Sequence, residues 1–357
     1  MILPPSDRLH ALDDALSGRD AGATLREIAT AIRDARSLWI TAHANPDGDA
    51  LGSAVALGLA AKALGKQAQV LFDSPLPEKL IPLVPEGSFR RIADAAALLE
   101  EPSPDLFVLL DTSEPERAGG IAKLALVRAA RSVCLDHHLH RGPSGFRHHL
   151  VLTQAPSTGN LVLELLRELR TELSPEIAGA LWMAIASDTG WFRFANTSSW
   201  ALEDAAALSR LGIDIPRIYR QIYEESPIGR MRILGKVLSG LRSEFDGVFV
   251  HGLVRSSDVA AEGLTLADLD GIVDHLKSVR GGEIIALLVE TGSNAYKVSL
   301  RAQGTHEVES LARKLGGGGH AKAAGGRFSG TIDQLLELLR SEIGSKLKTS
   351  SAPKLGP

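Results

Sequence analysis

The run Thr41-Ala42-His43-Ala44-Asn45-Pro46-Asp47-Gly48-Asp49-Ala50-Leu51-Gly52-Ser53 decides how this chain is read. It is entered by an apolar, β-rich run, Ser37 to Thr41, and left by Ala50 to Leu64, whose apolar spacing is helical. One imidazole and two carboxylates therefore lie in the loop between a strand and a helix. In open sheets of parallel strands, ligands bind at such loops, beyond the carboxyl ends of the strands.

The same unit recurs along the first 205 residues or so. Ala68 to Phe72, Leu106 to Leu110 and Ser132 to Leu135 have the length and composition of strands, while Pro77 to Val84, Ile92 to Leu99 and Ala118 to Ala130 have helix-like spacing. Strands alternating with helices predict an α/β fold with a mostly parallel sheet flanked by helices. Asp111 directly follows the third strand, Asp136, His137 and His138 follow the fourth, and Asp188 terminates the apolar segment Leu181 to Ala186. Four segments thus deliver acids or imidazoles to what could be one edge.

Read singly, Asp111 could cap a following helix and Asp47-Gly48 could form a turn. Read together, these are oxygen ligands with a few imidazoles and no thiolate, a set that suits Mn²⁺ or Mg²⁺. More carboxylates converge than one ion needs, so two ions are expected.

The remainder divides into a helical stretch and a smaller α/β domain. Ser199 to Gly240 is helical in pattern, interrupted at Pro216 and at Ser226-Pro227, and Tyr223 to Gly240 is expected to connect the domains. Gly247 to Val254, Glu283 to Thr291 and Ala295 to Arg301 read as strands, and Leu266 to Val279, Val308 to Leu315 and Thr331 to Ile343 as helices. The resulting division is a first domain over 1–222, a helical linker over 223–240, a second domain over 241–347 and a flexible tail over 348–357.

Composition agrees with two domains: the chain has 357 residues, 44% hydrophobic and 23% charged. No apolar run approaches the roughly 18 to 20 residues of a membrane span, and no basic-then-apolar leader opens the sequence, so a cytoplasmic protein is expected. A net charge of -4 argues against coating long duplex nucleic acid. The lone cysteine, Cys134, lies in an apolar run and reads as a packed thiol.

The Asp136-His137-His138 triplet resembles the motif that names the DHH phosphoesterase superfamily. The resemblance extends to His43, Asn45, Pro46, Asp47, Gly48, Asp49, Gly52 and Ser53, to Asp111-Thr112-Ser113, and to Asp188-Thr189-Gly190. Gly316-Gly317-Gly318-Gly319-His320, followed by Ala323-Ala324-Gly325, is similar to the glycine-rich signature of the DHHA1 domain. Length and the Asp188 to Phe194 stretch are most similar to the NrnA group, which combines hydrolysis of very short RNA with that of 3'-phosphoadenosine-5'-phosphate (pAp).

That resemblance implies one cation held by His43, Asp47 and Asp111 and a second by Asp49, Asp111, His137 and Asp188. Most often these would be Mn²⁺, with Mg²⁺ or Co²⁺ as alternatives. It implies that Asp136 orients a ligand histidine, that His138 assists at the phosphoryl group, and that Gly317, Gly318, Gly319, His320 and Arg301 hold a substrate phosphate, with Arg193 either a phosphate contact or a loop brace. Between Lys297 and Arg327, six lysines and arginines face two acids, which suits an anion site. Expected substrates are short oligoribonucleotides, pAp or dinucleotides; a homodimer is implied by family alone. The competing readings are a cyclic-dinucleotide phosphodiesterase and an inactive nucleotide-binding protein.

Overall fold

Each apolar run bounded by turn residues becomes a strand, and the segments between them wind back as helices over its faces. The computed structural model describes residues 1–357 except 5, 16, 139–144, 320 and 351–357, and the side chains of 10, 11 and 348–350 also lie outside the description. The chain forms two compact units, 1–225 and 226–357.

The first unit contains α1 (Ala21–Asp34), β1 (Ser37–Ala42), α2 (Gly48–Ala63), β2 (Gln67–Phe72), β3 (Arg90–Arg91), β4 (Leu106–Leu110), α3 (Gly119–Arg128), β5 (Arg131–Asp136) and β6 (His148–Val151). Four helices complete it: α4 (Thr158–Glu168), α5 (Pro175–Asp188), α6 (Ser199–Ser209) and α7 (Ile215–Tyr219). Its sheet is parallel throughout, in the order β3-β2-β1-β4-β5-β6. The chain runs outward from β1 to β3, then returns to β4 and runs the other way. That reversal opens a crevice beyond the ends of β1 and β4.

Helix α2 is apolar nearly all round and buried along almost its whole length, as a helix enclosed on every side must be. It lies on the sheet and is crossed by α5, and the crossing is close because α2 carries glycine where the helices meet. A Cβ on Gly52 would stand 2.4 Å from the Ala180 carbonyl oxygen, and one on Gly48 would strike the Ser187 side chain. This contact brings the first turn of α2 against the last turn of α5, which puts Asp49 and Asp188 in one place.

The second unit comprises α8 (Ile228–Ser239), β7 (Arg242–Glu244), β8 (Phe249–Val254), α9 (Ser256–Ala261), α10 (Ile272–Leu276), β9 (Ile284–Gly292), β10 (Ala295–Ala302), α11 (Glu309–Lys314), β11 (Gly318–Gly319), β12 (Ala323–Ser329) and α12 (Ile332–Ser350). Its sheet runs β11-β12-β10-β9-β8-β7 and is antiparallel except between β8 and β9. Alternation along β10 sends Val298 and Leu300 to a core shared with Leu335, Leu339 and Ile343 of α12. The other face of β9 packs Ile285 and Leu287 against Ile233 and Val237 of α8 and Ile272 and Leu276 of α10.

Several expected elements come out differently. Pro77 to Val84 is turn and a 3₁₀ stretch, Ile81–Leu83, because Pro77, Pro82 and Pro85 deny a regular helix its N–H donors. Ile92 to Leu99 gives 3₁₀ turns over Ala95–Glu100. The helix expected over Leu266 to Val279 is broken by Gly271 at φ 81°, leaving α10. The run ending in Asp188 belongs to a helix, α5. Helix α8, expected within a connecting segment, supplies Ile233 and Val237 to the second unit's core. His148 and His149, expected in a solvated loop, open strand β6. His140 lies outside the described residues, as does most of the tail. No helix among the described residues is long and apolar enough to cross a membrane.

Candidate metal centre

Three strand ends and one helix end converge in the crevice. The loop after β1 supplies His43 and Asp47, the first turn of α2 Asp49, the end of β4 Asp111, the end of β5 Asp136, His137 and His138, and the end of α5 Asp188. Asp111 sits in the left-handed region at φ 61°, which Asp tolerates better than most residues, and it does not cap a following helix. Asp47 does cap: its Oδ1 accepts from the amides of Asp49 and Ala50 at 3.0 and 3.1 Å. Its side chain remains 62% exposed, so the cap leaves it open to the crevice.

Fully buried carboxylates are held from a direction the sequence reading did not anticipate. The N-terminus of α4 donates Thr158 N–H and Gly159 N–H to the two oxygens of Asp49, at 2.7 and 2.8 Å, and Thr158 Oγ1–H to Asp111 Oδ1 at 2.9 Å. Ser53 Oγ adds a bond to Asp49 at 3.0 Å. Asn196 braces Asp188, donating to its Oδ2 at 3.1 Å. The one local signal for Thr158 and Gly159 is the helix-capping Ser157, which says nothing about what the helix faces.

The histidine tautomers follow from carbonyl neighbours, since a carbonyl oxygen accepts only from a ring N–H. His43 Nδ1–H donates to Ala44 O at 3.0 Å and His137 Nδ1–H to Ala155 O at 3.3 Å. In the neutral ring Nε2 then carries the lone pair. His43 Nε2 stands 3.3 Å from Asp111 Oδ2 and 3.9 Å from Asp47 Oδ1. His137 Nε2 is buried without a hydrogen-bond partner among the described residues, 3.6 Å from Asp111 Oδ1, 3.6 Å from Asp188 Oδ2 and 3.8 Å from Asp49 Oδ2. A lone pair turned toward three carboxylates is unfavourable unless a cation lies between them.

Three groupings among the described residues, His43 with Asp47 and Asp111, Asp49 with His137 and Asp188, and Asp111 with His137 and His138, each bring their ligand atoms within 4.8 Å of one another. That is about twice the 2.0–2.1 Å bond of Mg²⁺ to oxygen. The donor set therefore fits divalent ions.

Electrostatics carry the same sign. Burial first, then Asp111, pushes Asp49 well above the ordinary carboxylate range; burial, then Asp47, does so for Asp111. Burial and Asp47 raise Asp188 to about 7. Burial and the neighbouring His138 lower His137 to about 4, so its ring is neutral. Like charges this close cannot all ionise without a compensating cation.

Asp136 behaves differently. Burial, the largest single influence, works against its ionised form, but the bonds from His138 and the charges of His138 and His137 together outweigh it and lower the pKa. The carboxylate accepts from His138 Nδ1 at 2.9 Å and from the His138 amide at 3.0 Å. It thus orients His138, whereas the ligand-type His137 is oriented by a backbone carbonyl. In His138 burial is overcome by that bond and by Asp111, and the pKa rises. His138 Nδ1 also lies 3.6 Å from Asp111 Oδ1.

In the second unit Arg301 spans Asp274 with two bonds, Nε at 3.0 Å and Nη2 at 3.2 Å, so its fork already holds a carboxylate. Gly317 and Gly319 lack side chains for a packing reason: a Cβ would stand 2.0 Å from Gly325 O and 2.6 Å from Ala323 O of β12. A Cβ on Gly316 or Gly318 would meet nothing within 4 Å. His320 is outside the described residues. Arg193 donates Nε–H to Gly190 O at 2.9 Å and lies over the Phe194 ring at 5.8 Å, bracing its own loop.

Residues 37–185 match the DHH family, N-terminal domain, and residues 247–345 match the DHHA1 domain. The bifunctional oligoribonuclease and PAP phosphatase NrnA of Thermus thermophilus is 32% identical, over 86% of this chain and 90% of its own length. The Bacillus subtilis protein of the same name is 26% identical over 79% and 86%. An exopolyphosphatase-related protein from Bacteroides fragilis has the same fold, with a TM-score of 0.84 at 23% identity, covering 91% of this chain and 96% of that one. Manganese-bound RecJ from Thermus thermophilus aligns at a TM-score of 0.54 and 16% identity, over 88% of this chain and 53% of RecJ. The order of the domains and the extent of the match make this chain a member of the NrnA family of DHH/DHHA1 proteins.

Proposed function

We propose that the protein is a metal-dependent phosphoesterase that releases nucleoside 5'-monophosphates from oligoribonucleotides of a few residues and converts pAp to AMP. The observation that carries the metal dependence is the unpartnered His137 Nε2 facing Asp49, Asp111 and Asp188. The substrate class is supported by relatives named for these activities that align over most of their length.

In this reading His43, Asp47 and Asp111 hold one cation and Asp49, Asp111, His137 and Asp188 a second, with Asp111 shared. Two bound divalent ions supply Lewis acidity at the phosphoryl oxygens and activate water for in-line displacement. Mn²⁺ or Mg²⁺ suits the oxygen-rich set. The residues do the rest: α4 fixes Asp49 and Asp111, and Asp136 holds His138 at Nδ1 and favours its protonated form. His138 donates a proton to a phosphoryl oxygen or to the departing nucleoside oxygen. Arg301, Gly318 and His320 supply phosphate contacts in the second unit, Arg301 by exchanging or sharing its bond with Asp274. A homodimer working in the cytoplasm completes the reading.

The test is turnover of pAp, pApA, cyclic di-AMP and a five-residue RNA with Mn²⁺, beside an EDTA control and an Asp111→Ala, His137→Ala double variant. AMP release from the linear substrates, abolished by EDTA and in the variant, supports the proposal. Preference for cyclic di-AMP transfers it to cyclic dinucleotides, and no hydrolysis of any substrate removes it.

A further inference from the structure

Beyond Asp188 the chain adopts a conformation that its residues do not favour. Gly190, Trp191 and Phe192 follow one another in the left-handed region, at φ of 56°, 59° and 62°. Bulky L residues rarely enter that region, and when they do the surrounding structure holds them there. Here Trp191 N–H donates to Ala186 O at 2.6 Å, Phe192 N–H to Thr189 Oγ1 at 3.2 Å and Arg193 N–H to Thr189 O at 3.0 Å. The turn delivers the Trp191 indole to two tyrosines.

The Trp191 ring centroid lies 5.0 Å from that of Tyr219 and 5.9 Å from that of Tyr223, and the tyrosine rings are 5.1 Å apart. Trp182 closes the inner side at 6.4 Å. Tyr219 ends α7 and Tyr223 lies in the following π-helical turn, Arg220–Glu224, a backbone irregularity common at functional positions. The outer side is open: Tyr219 is 37% and Tyr223 41% exposed. Packing explains the inner edge of this cluster, against Trp182. It does not explain the exposure of two phenol rings beside a strained tryptophan.

We infer that Trp191, Tyr219 and Tyr223 form a stacking surface for a nucleobase of the substrate, an inference that rests on the phosphoesterase reading of the neighbouring cluster. A nucleobase is planar and uncharged, and it arrives attached to a phosphate. Two residues separate Trp191 from Asp188, so their Cα atoms lie at most about 11 Å apart. Aromatic faces accept every base, which suits an enzyme that must degrade short RNA of any sequence.

The experiment compares pAp with ribose 3',5'-bisphosphate, which lacks the base, and follows binding of a 2-aminopurine dinucleotide by its fluorescence, which stacking quenches. Tyr219→Leu and Trp191→Leu raise KM for pAp about tenfold or more and leave KM for the baseless substrate unchanged. Tyr219→Phe and Tyr223→Phe, which keep the rings, retain wild-type KM. Tyr219 is partly exposed, so its variants are expected to fold, and circular dichroism confirms this. Parallel changes for both substrates, or 2-aminopurine quenching equal in wild type and Tyr219→Leu, overturn the inference. Absence of all turnover with wild-type quenching intact overturns the phosphoesterase reading alone.

Discussion

Replacing Gly52 with alanine adds one carbon at the crossing of α2 and α5, and its consequences can be worked from the contacts. The new Cβ would stand 2.4 Å from the Ala180 carbonyl oxygen and 3.0 Å from the Ala184 Cβ and amide nitrogen. Carbon in ordinary contact needs about 3.5 Å, so the helices must part by about 1 Å. Overpacking of this kind costs about 1–3 kcal/mol, against which alanine's better helix propensity returns about 1 kcal/mol. The net loss, about 1 kcal/mol, lowers Tm by about 2–4 °C in a unit of this size. Catalysis is hit far harder, because Asp49 rides on α2 and Asp188 on α5. A misplacement of about 1 Å in a reacting site lowers rate about 100-fold. The assay is AMP release from pAp with Mn²⁺ beside a thermal melt, with Gly235→Ala as control, since a Cβ there meets nothing within 4 Å. A Gly52→Ala enzyme within twofold of wild type in kcat, with unchanged Tm, would refute the argument that the crossing sets the site.

Three further outcomes are expected. Because Asp188 is held up to about 7 when no cation is present, Mn²⁺ must displace its proton. Affinity then falls as pH drops through 7, and calorimetry at pH 6.5 in buffers of different ionisation enthalpy detects release of about one proton or more; zero release contradicts the raised carboxylates. Thr158→Val removes the hydroxyl donor to Asp111 while leaving the amide bond to Asp49, so Mn²⁺ affinity and kcat fall about tenfold with little change in Tm, and an unaltered Kd argues against a role for α4 in the site. Glu244 is lowered to about 2 by its bond to Arg340, opposed by burial and aided by His251. A depressed acid stabilises above its unfolded pKa near 4.5 and loses that contribution as pH falls toward 2. After allowance for the half-exposed Arg340, Glu244→Gln destabilises by about 1 kcal/mol at pH 7 and by far less at pH 2.5, measured by denaturant titration.

The strand-end residues were legible because chemistry and topology coincide there. An apolar run followed at once by Asp111, or by Asp136-His137-His138, marks both a strand terminus and a candidate ligand. Asp188 was legible as a candidate ligand but not as a helix end, since Leu181 to Ala186 is too short an apolar run to separate strand from buried helix. Thr158 and Gly159 were not legible at all: both hold Asp49 through backbone N–H groups, which every residue but proline has, across 109 and 110 positions of sequence, and the Thr158 hydroxyl meets Asp111 from 47 positions away. The same distance problem hides the buried Asp204, which binds Arg8, Arg167 and Asn160. In the second unit the glycines suggested an anion cradle, whereas at Gly317 and Gly319 the missing Cβ serves the close approach of β12. Strand β12 itself, Ala-Ala-Gly-Gly-Arg-Phe-Ser, has little intrinsic β preference and is made a strand by pairing with β10.

The scattering of the cluster along the chain has a consequence during synthesis. A ribosome that has just passed His138 has joined His43, Asp47, Asp49, Asp111 and His137 into the chain, yet neither α4 nor Asp188 exists, and the carboxylates lack the donors that steady them in the folded unit. The parallel sheet also pairs segments far apart in sequence, a slow kind of assembly. Under the proposed metal dependence, capture of a divalent cation would come last and reward only chains whose first unit has closed, with a stabilisation that grows as free ion exceeds Kd. Loading would then act as a proofreading step on folding, and cells short of the ion would carry more of this protein in forms that proteases can reach.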